Sequence, residues 1–327
     1  MILRGGSMKK VVYNKYGSSE VLTFIEEEKP TVEDKEVLVR IYATTVASGD
    51  IRQRIGSRHS LPLWPISKLA IGITKPRNPN LGFDFSGRIE AVGPGVTKFK
   101  VGDDVFGITG KGTNMEYRSI HEDGLFTQKP DNMSYVEATS VPFGAHTAHY
   151  FLGKADIKQG DTVLINGASG AVGTQAIQMA KEYGAHVTAV CSGKNHSIVK
   201  ALGADEVIDY NTEDIYKNKQ YDIIFDTVGK MSYRKSNSIL KKNGKLLLPV
   251  FGFRMLMMML ITSITKRRKV VCGVASESRE VLDDIRDKMS KGVLKPVIDR
   301  EYTFDEIRTA HDYVEKGHKI GNVVINI

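Results

Sequence analysis

The sequence predicts an α/β protein in two parts: a β-rich domain and a doubly wound domain with a parallel six-stranded sheet. Three observations predict it. Glycine and proline punctuate the segment 8–130 densely, with Gly82, Gly87, Gly93, Gly95, Gly102, Gly107, Gly110 and Gly112 between short apolar runs. That spacing suits short strands and tight turns. From Asp161 onward, strand-like and helix-like segments alternate for over a hundred residues, which implies a parallel sheet covered by helices. At 327 residues, with 41% hydrophobic and 26% charged, the chain is long enough for two cores and too apolar for wholesale disorder.

Taken in order, Met8-Lys-Lys-Val-Val opens a strand, and residues 1–7 read as a leader or an appended remnant, too short in apolar residues for a signal peptide. Val37-Leu-Val-Arg-Ile-Tyr42 alternates in the manner of a half-buried strand. Gly93-Pro94-Gly95 predicts a turn, because proline fixes φ and glycine admits φ > 0. Ser134-Tyr-Val-Glu137 has the form of a capping box and predicts a helix start, which Pro142 then interrupts. Strands are expected at 162–166, 186–190, 206–208, 221–226, 245–250 and 269–274. Helices are expected at 171–183, 195–202 and 232–241, with Gly184 and Gly203 as C-cap glycines. Two amphipathic helices, 280–291 and 304–317, and a last strand, 321–327, close the chain.

Composition excludes several function classes. Cys191 and Cys272 are the only cysteines, so a disulfide scaffold and CxxC zinc sites are out, and nothing argues for an oxidising compartment. The formal charge of +8 is read as scattered, without an aromatic–basic stripe for nucleic acid; an anionic cofactor accounts for it equally well. The stretch 246–264 approaches the length of a membrane span, but Pro249, Gly252 and Arg254 break it. It reads as a buried strand, a loop and a Met-rich helix, with membrane association through that helix as a weaker alternative.

The strand 162–166 runs into Gly167-Ala-Ser-Gly-Ala-Val-Gly173 and then into a helix. Read against G-x-G-x-x-G, the key positions are Ala168, Gly170 and Gly173, with Ser169, Ala171 and Val172 completing the loop. Gly170 admits a pyrophosphate close to the backbone, Gly173 lets helix and strand pack, and the helix N-terminus offers free N–H groups. Strand before and helix after is the context the motif requires. At the end of the second strand, Val190-Cys-Ser-Gly-Lys-Asn195 holds no carboxylate to bind a ribose 2′-OH. Ser192 and Lys194 suit a 2′-phosphate instead, so NADPH is expected over NADH; the bland alternative is that Lys194 is a solvated loop lysine.

Together these residues resemble the medium-chain dehydrogenase/reductase superfamily, and more closely its zinc-free quinone oxidoreductase branch, the zeta-crystallin relatives. The resemblance runs from Met8 to Ile327, through Val11-Val-Tyr-Asn-Lys-Tyr-Gly17, Leu81-Gly-Phe-Asp-Phe-Ser-Gly87, Val101-Gly-Asp-Asp-Val-Phe-Gly107, the glycine loop, Leu202-Gly-Ala-Asp-Glu-Val-Ile-Asp-Tyr210 and Gly321-Asn-Val-Val-Ile325. It implies a GroES-like catalytic domain from 8–130 and 277–327, an inserted Rossmann NADP-binding domain at 131–276, and a catalytic cleft between them. It also implies a homodimer through the strand 269–274, whose apolar edge would otherwise invite aggregation.

Zinc-dependent members hold their metal at positions that match Ala47, Phe83 and Phe143, and none of these side chains can donate to zinc; no metal is expected. Without a Lewis acid, an electron-poor acceptor is favoured, a quinone or the β-carbon of an enone. The resemblance places Ser48 and Asp50 at the nicotinamide, Ser48 as a donor to a carbonyl and Asp50 mainly as a loop organiser. His146 is a candidate proton donor, with a helix-buried histidine as the alternative. Thr147, Tyr210, Val228, Phe251, Gly252 and Asn322 match cofactor-contacting positions.

The segment 57–80, with Trp64 and neighbouring leucines and prolines, reads as an active-site cover over a hydrophobic substrate. The expected protein is a cytoplasmic NADPH-dependent quinone or enone reductase with no nucleic-acid partner. A metal-free carbonyl or alcohol oxidoreductase and a non-catalytic NADPH-binding redox sensor are the rivals.

Overall fold

The computed structural model describes residues 6–58, 61, 63–217, 220–265, 268–276 and 278–327. Residues 1–5 of the expected leader, Pro62 of the expected cover and Glu277 at the expected domain boundary lie outside the described residues. Within the remainder of the expected leader segment, Ser7 pairs with Glu28, and the Gly6 carbonyl accepts from Lys29 N.

The chain divides into two compact units. The first takes Phe143 and the residues before it, a segment ending at Ser290, and Pro296–Ile327; the second takes Gly144–Ser276 and Lys291–Lys295. This departs from the boundary expected at 131. Residues 131–143 join the first unit because Ser86 Oγ donates to the Tyr135 carbonyl (2.7 Å) and Asn322 Nδ2 to that of Ser140 (2.6 Å). Residues 291–295 join the second because Lys295 N donates to Gln178 Oε1 (2.8 Å) and Gln175 Nε2 to the Lys295 carbonyl (3.1 Å).

In chain order the first unit holds β1 (Ser7–Tyr13), β2 (Leu22–Glu28), β3 (Glu36–Thr45), α1 (Ser48–Ile55), α2 (Ile66–Ile71), β4 (Asp84–Val92), β5 (Asp104–Ile108), β6 (Tyr117–His121), β7 (Phe126–Gln128) and α3 (Tyr135–Thr139). Helix α4 (Pro142–Ala155) starts on a proline, where a missing N–H costs nothing. The second unit continues with β8 (Thr162–Asn166), α5 (Ala171–Glu182), β9 (His186–Cys191), α6 (His196–Ala201), β10 (Glu206–Asp209), β11 (Tyr221–Asp226), α7 (Tyr233–Ser238), β12 (Leu240–Leu248), α8 (Phe253–Thr265) and β13 (Lys269–Cys272). The first unit then receives α9 (Arg279–Ser290), β14 (Ile298–Thr303), α10 (Ile307–Glu315) and β15 (Asn322–Asn326).

The first unit is built on a seven-stranded sheet, β14-β15-β3-β4-β5-β7, with β6 also paired to β3 and β1-β2 forming a separate ribbon. Its core gathers the inward-facing Val37, Val39, Ile41, Phe85, Ile89 and Phe126. The capping box before α3 is present: Glu137 N donates to Ser134 Oγ and Ser134 N to Glu137 Oε2. The Gly93-Pro94-Gly95 turn forms, but neither glycine has positive φ. A Cβ on Gly93 would lie 1.9 Å from the Glu33 carbonyl oxygen, so close approach, not left-handed backbone, requires glycine there.

The second unit is the expected six-stranded parallel sheet, in the order β10-β9-β8-β11-β12-β13. The chain leaves β8 in one direction through β9 and β10 and in the other through β11, β12 and β13. The topological switch therefore falls between β8 and β11, where such sheets bind ligands at their carboxyl ends. Gly184 and Gly203 end α5 and α6 with φ of +77° and +106°, as C-cap glycines should. No helix among the described residues is long and apolar enough to cross a membrane.

Candidate active site

The sequence-predicted site residues fall into two constellations, one described in each unit. In the second unit the loop after β8 turns at Gly167 (φ +75°) and enters α5 with Gly170 as its N-cap. A Cβ on Gly173 would lie 2.2 Å from the Gly167 carbonyl oxygen and 2.7 Å from Ala168 Cα; only glycine lets this helix lie so close to its strand. At Gly170 a Cβ would meet only the Gly167 carbonyl, at 3.4 Å. The protein itself leaves that space open, which fits a site where a phosphate approaches the backbone. Ala168 is buried, while Ser169, Gly170, Ala171 and Val172 form the half-buried rim, and Asn195 Nδ2 donates to Ser169 Oγ (2.9 Å).

Across the switch point, the loop after β11 is organised by Asp226, a residue the sequence reading did not single out. Its Oδ1 accepts from Asn166 Nδ2 (2.8 Å), Val228 N (3.2 Å) and Gly229 N (3.0 Å), and its Oδ2 from Met231 N (2.8 Å). Val228 is thereby held beside Gly167. A strand-ending Asp before a Thr-Val-Gly turn was the available signal. Phe251 and Gly252 follow β12, and a Cβ on Gly252 would meet nothing within 4 Å, a second glycine that internal packing does not demand.

Beyond β9, Ser192 precedes a 3-10 turn containing an exposed Lys194. Tyr210, after β10, is exposed. A carboxylate does stand near this end of the sheet: Asp209 Oδ2 is 2.6 Å from where a Cβ on Gly193 would be. Asp209 comes from the neighbouring strand, so reading β9 alone missed it. Its carboxylate accepts from Asn211 N and Nδ2 (both 2.9 Å), and these bonds hold its pKa below the usual carboxylate range.

Thr147 and His146 lie on α4. Thr147 is nearly buried, at 7% exposure, and His146 is sealed at 1%. Neither ring nitrogen of His146 has a hydrogen-bond partner among the described residues, and burial, with nearby His149, pushes its pKa down to about 4. A neutral, enclosed imidazole is no proton donor to a substrate at neutral pH; the buried alternative describes it.

In the first unit the loop expected over 44–54 around Ser48 and Asp50 is instead the end of β3, a short link and helix α1. Ser48 is exposed at its first turn. Asp50 is buried and works as a brace: Oδ2 accepts from Ala47 N (2.8 Å) and Oδ1 from Gly82 N (2.7 Å). Burial pushes its pKa up to about 6 against those bonds. Asp84, also buried, accepts from Thr45 Oγ1 (2.9 Å) and Phe143 N (2.9 Å). The ring of Phe83 packs on that of Phe143, centroids 5.8 Å apart, and lies 3.3 Å from a Cβ built on Gly49.

Two of the three positions matched to zinc ligands are thus filled by packed phenyl rings, and the third is Ala47. This donor set does not fit a zinc ion, which needs N, S or O ligands. Lys319, missed in the sequence, donates to the Gly321 carbonyl. Burial holds its pKa down at about 8, against the opposing pull of Asp299, Asp84 and Asp50. Asn322 spends its amide on the Ser140 carbonyl. In the expected cover, Trp64, Ile66, Leu69 and Ile73 are all exposed.

A GroES-like sheet unit joined to a six-stranded dinucleotide-type sheet with a glycine loop at its switch point defines an oxidoreductase of the medium-chain type. Comparison with known proteins agrees. Residues 33–131 match the alcohol dehydrogenase GroES-like domain, and residues 202–325 match the zinc-binding dehydrogenase family. The chain belongs to the medium-chain dehydrogenase/reductase superfamily, in its quinone oxidoreductase branch.

Among its relatives is the mitochondrial NAD(P)H oxidoreductase RTN4IP1 of Homo sapiens, 32% identical over 99% of this chain and 90% of that protein. The 2-methylene-furan-3-one reductase of Solanum lycopersicum is 30% identical over 98% of this chain and 79% of that one. The quinone oxidoreductase of Coxiella burnetii superposes with a TM-score of 0.85 at 29% identity, over 98% of this chain and 100% of its own.

Proposed function

We propose that this protein reduces a quinone or an activated alkene with NADPH, preferring it to NADH, and does so without a metal. The observation that carries the reading is the pairing of a glycine loop left open at Gly170 with metal-ligand positions occupied by Ala47, Phe83 and Phe143. Relatives named for quinone, furanone and NAD(P)H chemistry support the same substrate class.

The reduced nicotinamide supplies the hydride. The chain's own part is to seat the pyrophosphate at the N–H groups of Ala171, Val172 and Gly173, to fix the ribose side through the Asp226-braced Val228 loop, and to meet a 2′-phosphate with Ser192 and Lys194. Asp50 and Asp84 keep α1 and the start of α4 in place. An acceptor that is already electron-poor needs only hydrogen bonds and a proton as charge builds on its oxygen. The exposed apolar side chains around Trp64 favour a bulky hydrophobic acceptor, and the edge position of β13 favours a homodimer. Two buried free cysteines suit a cytoplasmic site of action.

The test is NADPH consumption with a panel of quinones and enones, before and after dialysis against a chelator. Turnover unchanged by the chelator is expected. Lys194→Ala is expected to raise KM for NADPH roughly tenfold, about 1.4 kcal/mol of lost contact, and to leave NADH unaffected. Tight NADPH binding without turnover on any acceptor would replace this reading with the redox-sensor one, and a turnover that the chelator abolishes would refute the metal-free chemistry.

A further inference from the structure

Helix α8 is apolar on both faces. Met255, Leu256, Met258 and Met259 pack inward on the sheet. Phe253, Met257, Leu260, Ile261 and Ile264 point the other way, each between 43% and 82% exposed. Their spacing, i, i+4, i+7, i+8, i+11, is one continuous stripe on the outer face. A patch of this kind marks an interaction surface and not an ordinary surface helix.

The charge around it is equally uneven. The positive excess looked scattered over the chain, but between Asp226 and Glu277 there are eleven Lys and Arg and not one Asp or Glu. The remainder of the chain is slightly acidic. Exposed Arg254 stands in the first turn of α8, where a cation opposes the helix dipole and so adds nothing to the helix. At the other end, Arg268 N donates to the Lys242 carbonyl (3.3 Å), and Lys269 follows, with Lys242 and Lys269 both exposed. Cations therefore bracket the apolar stripe at both ends.

We propose that the outer face of α8 docks on an anionic lipid surface, the helix lying flat with its apolar stripe in the acyl boundary and the exposed Arg254 and Lys242 among the headgroups. An amphipathic face of this length, flanked by cations and free of acids, has the chemistry of an interfacial helix. The homodimer proposed above pairs the edge of β13; on the outer face of α8 a second copy would set Arg254 and Lys242 against their own duplicates, and this charge pattern favours the bilayer there. This takes up the membrane association through the Met-rich helix that the sequence offers as the weaker alternative; the helix lies on a membrane and does not cross it.

The full chain is sedimented with vesicles of phosphatidylcholine alone or of equimolar phosphatidylcholine and phosphatidylglycerol. Binding to the anionic vesicles only is expected, weakened at ~0.5 M salt, where screening shortens to a few ångströms. Leu260→Ser with Ile264→Ser is expected to lower the partition constant roughly tenfold or more, and Arg254→Glu with Lys242→Glu by at least about tenfold. NADPH binding stays intact in both, which shows that the variants are folded. A wild type that stays in the supernatant with anionic vesicles, or binds both vesicles equally, overturns the proposal. So does a lipid-independent dimer that the Leu260→Ser, Ile264→Ser variant dissociates, which would give this face to a second copy.

Discussion

The glycine loop of the second unit and the brace of the first do opposite things with the same material, the backbone N–H. Around Gly167–Gly173 the chain keeps its first-turn N–H groups available and removes side chains so that something else can approach. Around Asp50 and Asp84 the chain spends buried carboxylates to satisfy its own N–H groups, those of Ala47, Gly82 and Phe143. One region is prepared for a ligand and the other is closed upon itself. The lesson is that a buried acid near a candidate site need not be a catalyst. What it holds in place decides that.

Two glycines a single turn apart separate these roles with the largest expected effect. Gly173→Ala puts a Cβ against immovable backbone at 2.2 Å, and overpacking of this kind costs ~1–3 kcal/mol or more; thermal melts should show a large fall in Tm, with nucleotide binding lost alongside. Gly170→Ala meets nothing closer than 3.4 Å at an ordinary extended backbone angle. Its stability should stay within about 0.5 kcal/mol of the parent while NADPH affinity falls on the order of tenfold in a fluorescence titration. Parental affinity in Gly170→Ala would show that the loop is only a turn.

The legible part of this molecule was the part whose causes are local. The glycine loop, the capping box at Ser134 and the C-cap glycines 184 and 203 each declare themselves within a few residues. Helix α1 did not, because Ile51 and Ile55 are its only apolar side chains, too few to show a period. Strand β14 has no buried residue and so lacks the alternation that marks a half-buried strand. Asp84 and Lys319 were invisible for a different reason: the groups they answer to, at Phe143 in one case and at Asp50, Asp84 and Asp299 in the other, are far off in sequence. Asp209 was missed because the second strand alone does not show what its neighbour brings alongside.

Each unit also hides a histidine, and their titration sharpens the contrast. His311 is fully buried in the first unit, beside Arg54, with both ring nitrogens unpartnered among the described residues; burial pushes its pKa down to about 3. His146 in the second is held at about 4. A histidine whose folded pKa is depressed lets the unfolded chain bind the extra proton first. Stability is therefore complete above the ordinary value near 6.5 and lost as pH falls below it, by about 2 kcal/mol per histidine at about pH 5. Asp50, raised to about 6, acts in the opposite sense and adds stability as pH drops through that value. Urea unfolding of His311→Gln and the parent at neutral and acid pH isolates one contribution: the variant should lose about 2 kcal/mol less on acidification. Parallel losses would mean that His311 does not stay neutral in the fold.

The smallest effect bears on Asn322, where family position and local bonding disagree. By resemblance it belongs near the nicotinamide, yet its Nδ2 is engaged with the Ser140 carbonyl at 2.6 Å and its backbone N with the Val297 carbonyl at 2.9 Å. If the amide is a brace like Asp50, Asn322→Ala strips a buried carbonyl of its donor and costs about 1 kcal/mol of stability. KM for NADPH should then move by less than about twofold, because the cofactor contacts proposed above lie in the other unit's glycine loop. If KM instead rises tenfold while the unfolding midpoint is unchanged, the Ser140 bond is dispensable and the side chain turns to the cofactor when it is present. The first unit would then be no longer merely closed upon itself, and the division between a region that binds and a region that braces would have to be redrawn at this residue.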